Sequence, residues 1–311
     1  MPFPILLAIP ILLSMAGYGA KKGFDSKKMN DEAHALAEKA KQRHERSRKA
    51  LIAKTSETNN HLVELGKLKV TAFTDCLNHL VKTLRRMDKR SSSALKDFDV
   101  EFSVADLKQI DIAVANALEI SKGLGSGASA GALAALGAYG SVGMLASAST
   151  GTAIATLSGA AATNATLAFL GGGALAAGGA GVVGGMAVLG GIVIAPALAI
   201  GGFVLASKAE KTLTDAKAYE AKLDVAIADM SKSAAILRGI DINVAELARV
   251  IMHLAVRYER VKTDDVTDEK SIVLMLKIGK ALKATLDQQV MKSNGAPTSN
   301  IKLNIKGFME L

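Results

Sequence analysis

The sequence contains 85 consecutive residues, 123–207, without a single Asp, Glu, Lys, Arg or His. All 38 basic and 29 acidic residues therefore lie in the other 226 positions, whereas 21 of the 29 glycines lie inside this span. A soluble surface carries charged side chains every few residues, so a span of this length is either embedded in a membrane or enclosed by protein. The chain is long enough for about two ordinary domains, but the span argues against a conventional two-domain soluble enzyme.

The composition of the span favours helices that pack against one another in an apolar medium. In water each glycine costs a helix about 1 kcal/mol relative to Ala, but in lipid small residues let helices approach closely and unpaired backbone groups cost more. Small residues recur at every fourth position in two seams, which are Gly143, Ser147, Gly151, Ala155, Gly159 and Thr163, and then Gly173, Ala177, Gly181 and Gly185. We predict hinges at Gly171, Gly172, Gly173 and Pro196.

A fully helical span would be about 128 Å long, which leaves room for at most four membrane crossings of about 30 Å each. If its two flanks belong to one bundle, the chain must return to the side that it left, so two or four crossings fit and three do not. Two alternatives stay open at this point. The span can form the dry centre of a soluble bundle, or a stored soluble form can expose it later.

The first 24 residues form a second apolar segment. Residues 3–20 would measure about 27 Å as a helix, Pro10 would kink it, and Lys21 and Lys22 come directly after it. A membrane or interfacial anchor, a signal peptide and an apolar arm buried in protein are the three interpretations. If the segment spans a membrane, the two lysines favour a cytoplasmic position for the domain that begins after them.

Both flanks of the span, 25–122 and 208–292, show the periodicity of helices. Heptad-like apolar runs occur at Phe73, Leu77, Leu80, Leu84 and Met87; at Ala216, Leu223, Ile227, Met230, Ala234 and Leu237; at Val244, Leu247, Ile251, Leu254, Tyr258 and Val261; and at Met275, Ile278, Leu282 and Leu286. The first flank starts with N-cap candidates at Asp25, Ser26, Asn30 and Asp31. Residues 32–54 are alanine-rich and highly charged, which predicts a solvated stalk, and the tail 293–311 is expected to be irregular, with at most one short strand.

These patterns together predict the fold class. We expect an all-α protein, a long coiled-coil-like helical bundle built from both flanks, with an apolar Gly/Ala-rich helical hairpin insert at 123–207.

Sequence motifs for catalysis or cofactor binding lack the context that their chemistry needs. Residues 127–131 match the pattern G-x-S-x-G, but no strand is expected before Ser129, and His253 is the only downstream histidine. Cys76 and His79 lie one helical turn apart, yet no second pair of ligands lies nearby, so we interpret them as a buried thiol and a surface histidine. No phosphate-binding loop occurs. We therefore expect no catalytic, metal or cofactor site, and no enzyme.

The charge pattern bears on the partners. The net charge of +9 divides into +6 for residues 1–122 and +3 for 208–311, which suits anionic lipid headgroups. The densest basic run, 41–49, has no interleaved aromatic residues, so we interpret it as a solvated helix face, with contact to anionic lipid as the alternative and no nucleic acid expected. We also expect solvated positions for His34, His44 and His61. Self-association is expected through the small-residue seams.

Three segments carry a resemblance to a known family. They are SASTGTAIATLSGAAATNATLAFLGGG at 147–173, VLGGIVIAP at 188–196, and the end of the N-terminal apolar run, GAKKG at 19–23. In these segments the chain resembles a family of uncharacterised bacterial glycine-zipper membrane proteins, which implies membrane association but no established chemistry. The architecture alone is also similar to that of α-helical pore-forming toxins, in which a helical bundle carries an apolar hairpin.

The sequence leaves two functional hypotheses. The first is a membrane-inserting, oligomeric helical protein that forms pores or permeabilises membranes, as a toxin or defence effector. The alternative is a constitutively membrane-anchored scaffold or signalling protein that recruits a protein partner through its helical bundle. We expect a bacterial inner-membrane location with a cytoplasmic bundle, and a secreted soluble form as the alternative.

Overall fold

The computed structural model describes residues 9–87, 104–122, 130–140, 209–292, 295–299 and 301. Nearly all of these residues are helical, and they contain no β-strand. The predicted all-α fold class is therefore confirmed for the part of the chain that the structure describes.

Six α-helices and one π-helical segment make up this part. They are α1 (Ile9–Thr71), the π-segment (Ala72–Leu77), α2 (Asn78–Arg86), α3 (Val104–Lys122), α4 (Ala130–Tyr139), α5 (Ala209–Val261) and α6 (Glu269–Leu286). The N-caps predicted between residues 25 and 31 are wrong, because α1 begins at Ile9 and passes through them.

The described residues fall into two compact units, each of which contains one part of α1 and one part of α5. The first unit holds residues 9–51 and 209–232, and the second holds 52–87, 104–122, 130–140, 233–292, 295–299 and 301.

In the first unit, small residues form the buried face of the charged stretch of α1. Ala33, Ala37 and Ala40 are buried at a spacing of 4-3, so α5 can pack closely against them. Arg43 pairs with two carboxylates of α5, Glu220 at 2.8 Å and Asp224 at 3.0 Å. The expectation of a solvated stalk is wrong for this face. His44, which continues the spacing by four residues, is also buried rather than solvated.

The second unit holds the larger core. Its buried side chains come from α1, the π-segment, α2, α3, α4, α5 and α6. Most residues of the apolar runs that the sequence predicts for this unit are part of this core. They include Phe73, Leu77 and Leu80 of the first run, the run from Val244 to Tyr258 on α5, and the run from Met275 to Leu286 on α6. α6 starts at an Asp268 N-cap, whose side chain accepts a hydrogen bond from the Ser271 backbone N–H at 3.1 Å.

Residues after α6 form a tight turn that returns to the bundle. Met291 and Pro297 form an isolated antiparallel bridge, and Gly295 adopts a φ of 80° in the turn. The side chain of Asn243 on α5 donates to two backbone carbonyls of this turn, Val290 O at 3.1 Å and Thr298 O at 3.0 Å. A single side-chain amide therefore fixes the turn to the bundle.

Candidate functional site

The first helix of the charge-free span, α4, packs inside the second unit. Its described side chains, from Leu133 to Gly140, are all buried, as expected for a helix that is apolar on every side. Two glycines permit the close approach to α1. A Cβ atom on Gly66 would lie 2.1 Å from Leu133 O, and one on Gly137 would lie 2.1 Å from Leu62 O. Helix α4 is thus held against the α1 backbone at a distance that side chains would forbid.

A buried lysine holds the carboxyl-terminal end of α4. The Lys69 ammonium donates to the carbonyl oxygens of Leu136 at 3.2 Å and Gly137 at 3.4 Å, and to Gln288 O just after α6 at 3.0 Å. Cations at helix carboxyl ends interact favourably with the carbonyls there. Burial lowers the pKa of Lys69 to about 7, and the nearby Asp287 carboxylate opposes this effect. Lys69 therefore ties α4 to the end of α6 with a cation that is costly to bury.

The described part of the span ends at Gly140, which closes α4. Its φ of 65° lies in the left-handed region, and its N–H donates to Leu136 O at 2.9 Å, as in a helix that ends in a left-handed residue. The backbone N–H of Val290 donates to Ala138 O at 2.9 Å. A Cβ on Gly140 would lie 2.6 Å from Asp287 O. The carboxyl-terminal end of α4 is thus closely packed. We call this region the α4 junction, and it comprises Gly66, Lys69, residues 133–140 and residues 287–290.

A second polar cluster lies between α1 and α5 around Asp241. This carboxylate accepts hydrogen bonds from Lys54 at 2.7 Å and Thr58 at 3.1 Å, and contacts His61 Nδ1 at 3.0 Å. Burial raises the pKa of Asp241, but the hydrogen bonds from Lys54, His61 and Thr58 outweigh it, so the pKa is lowered overall. The carboxylate is ionised at neutral pH and joins the two helices.

A third cluster joins α2 to the end of α5. Tyr258 is fully buried, and its hydroxyl lies 2.9 Å from His79 Nδ1. His79 Nε2 lies 3.4 Å from Asp264 Oδ1 without hydrogen-bond geometry, and Arg86 pairs with the same carboxylate at 2.6 Å. Burial lowers the pKa of His79 and raises the pKa of Tyr258. Because the phenol is buried and hard to ionise, the cluster links helices and presents no nucleophile.

Cys76 and His79 lie on the π-segment and on α2. Cys76 is buried, and its burial raises the pKa of the thiol to about 12, so the free thiol is protonated at neutral pH. His79 is largely buried against Tyr258 instead of lying on the surface. Among the described residues no group of three or more His, Cys, Asp or Glu side chains could hold a metal ion.

The predicted small-residue seams and hinges lie outside the described residues. This applies to Gly143, Ser147, Gly151, Ala155, Gly159, Thr163, Gly171, Gly172, Gly173, Ala177, Gly181, Gly185 and Pro196. In the ranges that the structure does describe, no helix combines the length and the apolar character needed to cross a bilayer.

Sequence reasoning missed Gly66 and Lys69, although a signal for both was present. Counting back from Phe73 by 4, 3 and 4 residues continues the heptad run through Lys69, Gly66 and Leu62. A lysine and a glycine are exceptions among the large apolar residues of a run that faces the core. The lysine requires buried hydrogen-bond acceptors, and the glycine indicates that another backbone lies close to it. Comparison with protein-family models finds no match, and neither curated proteins nor solved structures yield a similar chain.

Proposed function

We propose that the protein inserts residues 141–207 into a lipid bilayer and holds its helical bundle at the membrane surface. One observation carries this proposal. Gly140 lies at the end of α4, and the next 67 residues of the sequence contain no ionisable side chain, until Lys208 immediately precedes α5. Water offers such a segment no favourable surface, whereas a bilayer does.

The α4 junction narrows the number of crossings. Because α4 belongs to the bundle core, the segment available for insertion shortens from 85 to 67 residues, about 100 Å of helix. That length allows at most three crossings of about 30 Å. Both α4 and α5 belong to helical units that carry charged side chains, so we place both ends of the segment on the same aqueous side. Two crossings, a single hairpin, satisfy both conditions.

The experiment compares membrane retention of the full chain with that of matched variants. We expect the full chain to float with liposomes and to resist carbonate extraction, and a chain lacking 141–207 to do neither. Ala155→Arg should weaken retention because a cationic side chain at the centre of a spanning helix costs about 3 kcal/mol, while the control Ala155→Leu should retain it. Extraction of the full chain by carbonate would refute the proposal.

Dye release from the same liposomes distinguishes a pore-forming protein from a membrane-anchored scaffold. Dye release with insertion would favour the pore-forming version. Insertion without release favours an anchored scaffold. The buried position of α4 supports this second version, because residues 133–140 of the charge-free span are already buried in the bundle.

A further inference from the structure

Helix α5 presents an exposed apolar face in the second unit. Ile242, Met252 and Val256 are 56%, 51% and 53% exposed. They belong to a set of exposed residues with spacing 4-3-4-3-4, which we call the outer stripe: Arg238, Ile242, Ala245, Arg249, Met252 and Val256. This is the spacing of a coiled-coil seam, but these residues face away from the core of their own chain.

A groove of about 640 Å³ runs beside the outer stripe, between α1 and α5. Its lining includes the apolar residues Leu65, Leu68, Val244 and Ala248. The α1 rim carries two exposed carboxylates, Glu57 and Glu64. The α5 rim is the outer stripe, with its two arginines. Lys54 and Asp241 also line the groove, but they pair with each other across it at 2.7 Å. The exposed charges beside this pair are therefore acidic on the α1 rim and basic on the α5 rim.

The register between α1 and α5 decides which charges lie at the same level. On α1, Thr58 and His61 pair with Asp241 at separations of 183 and 180 residues. The helical backbone continues from α1 through the π-segment into α2, where His79 pairs with Tyr258 at a separation of 179 residues. Both helices thus run in the same direction, with a nearly constant offset. At the offsets of 180 to 183 around the groove, Arg238 is level with residues 55–58, which include Glu57. Arg249 is level with residues 66–69, two to five residues beyond Glu64. At 1.5 Å per residue this step is about 3 to 8 Å along the helix axis, which the long arginine side chain can span.

We propose that this face is the interface of a parallel two-fold dimer, in which the groove side of one copy packs against that of a second copy of this chain. A two-fold axis parallel to the helices places the α1 rim of one copy opposite the α5 rim of the other. This rotation leaves the position of each residue along the helix axis unchanged. Arg238 and Arg249 of each copy then face Glu57 and Glu64 of the other, and the apolar side chains of the outer stripes fill the grooves. The dimer does not depend on membrane insertion.

Within one copy these charges have only weak partners. Glu57 contacts Lys54 at 3.1 Å, Glu64 contacts Lys67 at 2.7 Å, and Arg249 lies 3.8 Å from Glu246, each pair on one helix. Such exposed pairs contribute little to stability, so exchanging them for contacts between copies costs little. The carboxylates of the α1 rim also disfavour an anionic lipid surface as the occupant of this face.

Charge reversal with rescue tests the dimer in the full chain. Sedimentation equilibrium in density-matched detergent gives the dimer dissociation constant. We expect Arg249→Glu and Glu64→Arg each to raise it at least tenfold, and the double variant to return it to within about threefold of the wild type. Lys277→Glu, an exposed reversal on α6, is the matched control and should leave it unchanged. Circular dichroism verifies that each variant is folded.

Three results would overturn the proposal. The first is a monomeric wild-type chain at 100 μM. The second is a double variant at least as weak as the weaker single variant. The third is loss of binding to anionic vesicles in Arg249→Glu with an unchanged dissociation constant, which would assign the face to lipid. A chain lacking 141–207 that still dimerises with the same rescue pattern would separate this interface from the proposed membrane function.

Discussion

Replacing Lys69 by Met tests the α4 junction, because Met keeps most of the apolar stem and removes the ammonium. In the variant, the carbonyl oxygen of Leu136 still accepts a hydrogen bond from the Gly140 N–H. The carbonyl oxygens of Gly137 and Gln288 each lose the hydrogen bond from the charged ammonium. Hydrogen bonds to charged groups contribute about 1.5 to 3 kcal/mol each, so their loss costs about 3 to 6 kcal/mol. Removing the buried charge gains a similar amount, since the pKa falls from 10.5 to about 7, at about 1.4 kcal/mol for each pKa unit. The net change at pH 7 is therefore small.

The pH dependence of stability is the decisive quantity. Between the folded pKa of about 7 and the unfolded value of 10.5, the unfolded chain binds the additional proton, so raising the pH stabilises the native state. From pH 7 to 8.5 the wild-type free energy of unfolding should rise by roughly 1 to 2 kcal/mol relative to Lys69→Met. Comparing the two chains cancels the opposite effect of Cys76, whose raised pKa destabilises the fold as the pH rises through 9.0.

Urea unfolding of the full chain in a non-ionic detergent, followed by circular dichroism, measures this difference. Lys277→Met, at an exposed lysine of α6, should behave as the wild type does at both pH values. Equal changes for wild type and Lys69→Met between pH 7 and 8.5 would refute the assignment of Lys69 as a buried, titrating clamp.

Four further substitutions probe other contacts by the same unfolding assay. Gly66→Ala should cost about 3 kcal/mol or more because its Cβ meets the α4 backbone, whereas Gly239→Ala, which meets only a proline side chain, should cost less; equal costs would contradict the close helix crossing. Asn243→Leu should cost about 2 kcal/mol through the two turn carbonyls that it leaves without its amide, and an unchanged midpoint would contradict the role of the amide. Asp268→Ala should cost about 1 kcal/mol as a lost N-cap, with Asp268→Asn close to wild type. Because the folded pKa of Asp241 is lowered from 3.8, its contribution should be present at neutral pH and lost as the pH falls through 3.8 to the folded pKa, and Asp241→Asn should lack this loss.

Heptad spacing predicted which side of each helix faces the core, and this succeeded where side chains are large. Phe73, Leu80 and Leu282 are buried as expected, because apolar area determines burial whatever the neighbour is. The spacing could not identify the neighbour. The need for glycine at position 66 follows only from the α4 backbone that packs against it. The role of Asp241 likewise follows only from its α1 partners, which lie about 180 positions earlier in the sequence.

The alanine face of the first unit was missed for a related reason. The side chains of Ala33, Ala37 and Ala40 are buried, but each carries little apolar area. The sequence pattern around them therefore resembles that of an exposed helix. Their burial depends on how closely the opposing helix can approach, which is a property of the pair and is absent from either sequence segment alone.

The parallel register of α1 and α5 sets an order of events during synthesis. Each contact of α1 or α2 with α5 closes a loop of about 180 residues, so these contacts form late and slowly compared with local ones. Helices α2, α3 and α4 precede residues 141–207 in the chain and can pack against α1 first, whereas α5 follows these residues. The side of the bundle that α5 covers therefore closes only after residues 141–207 have been made.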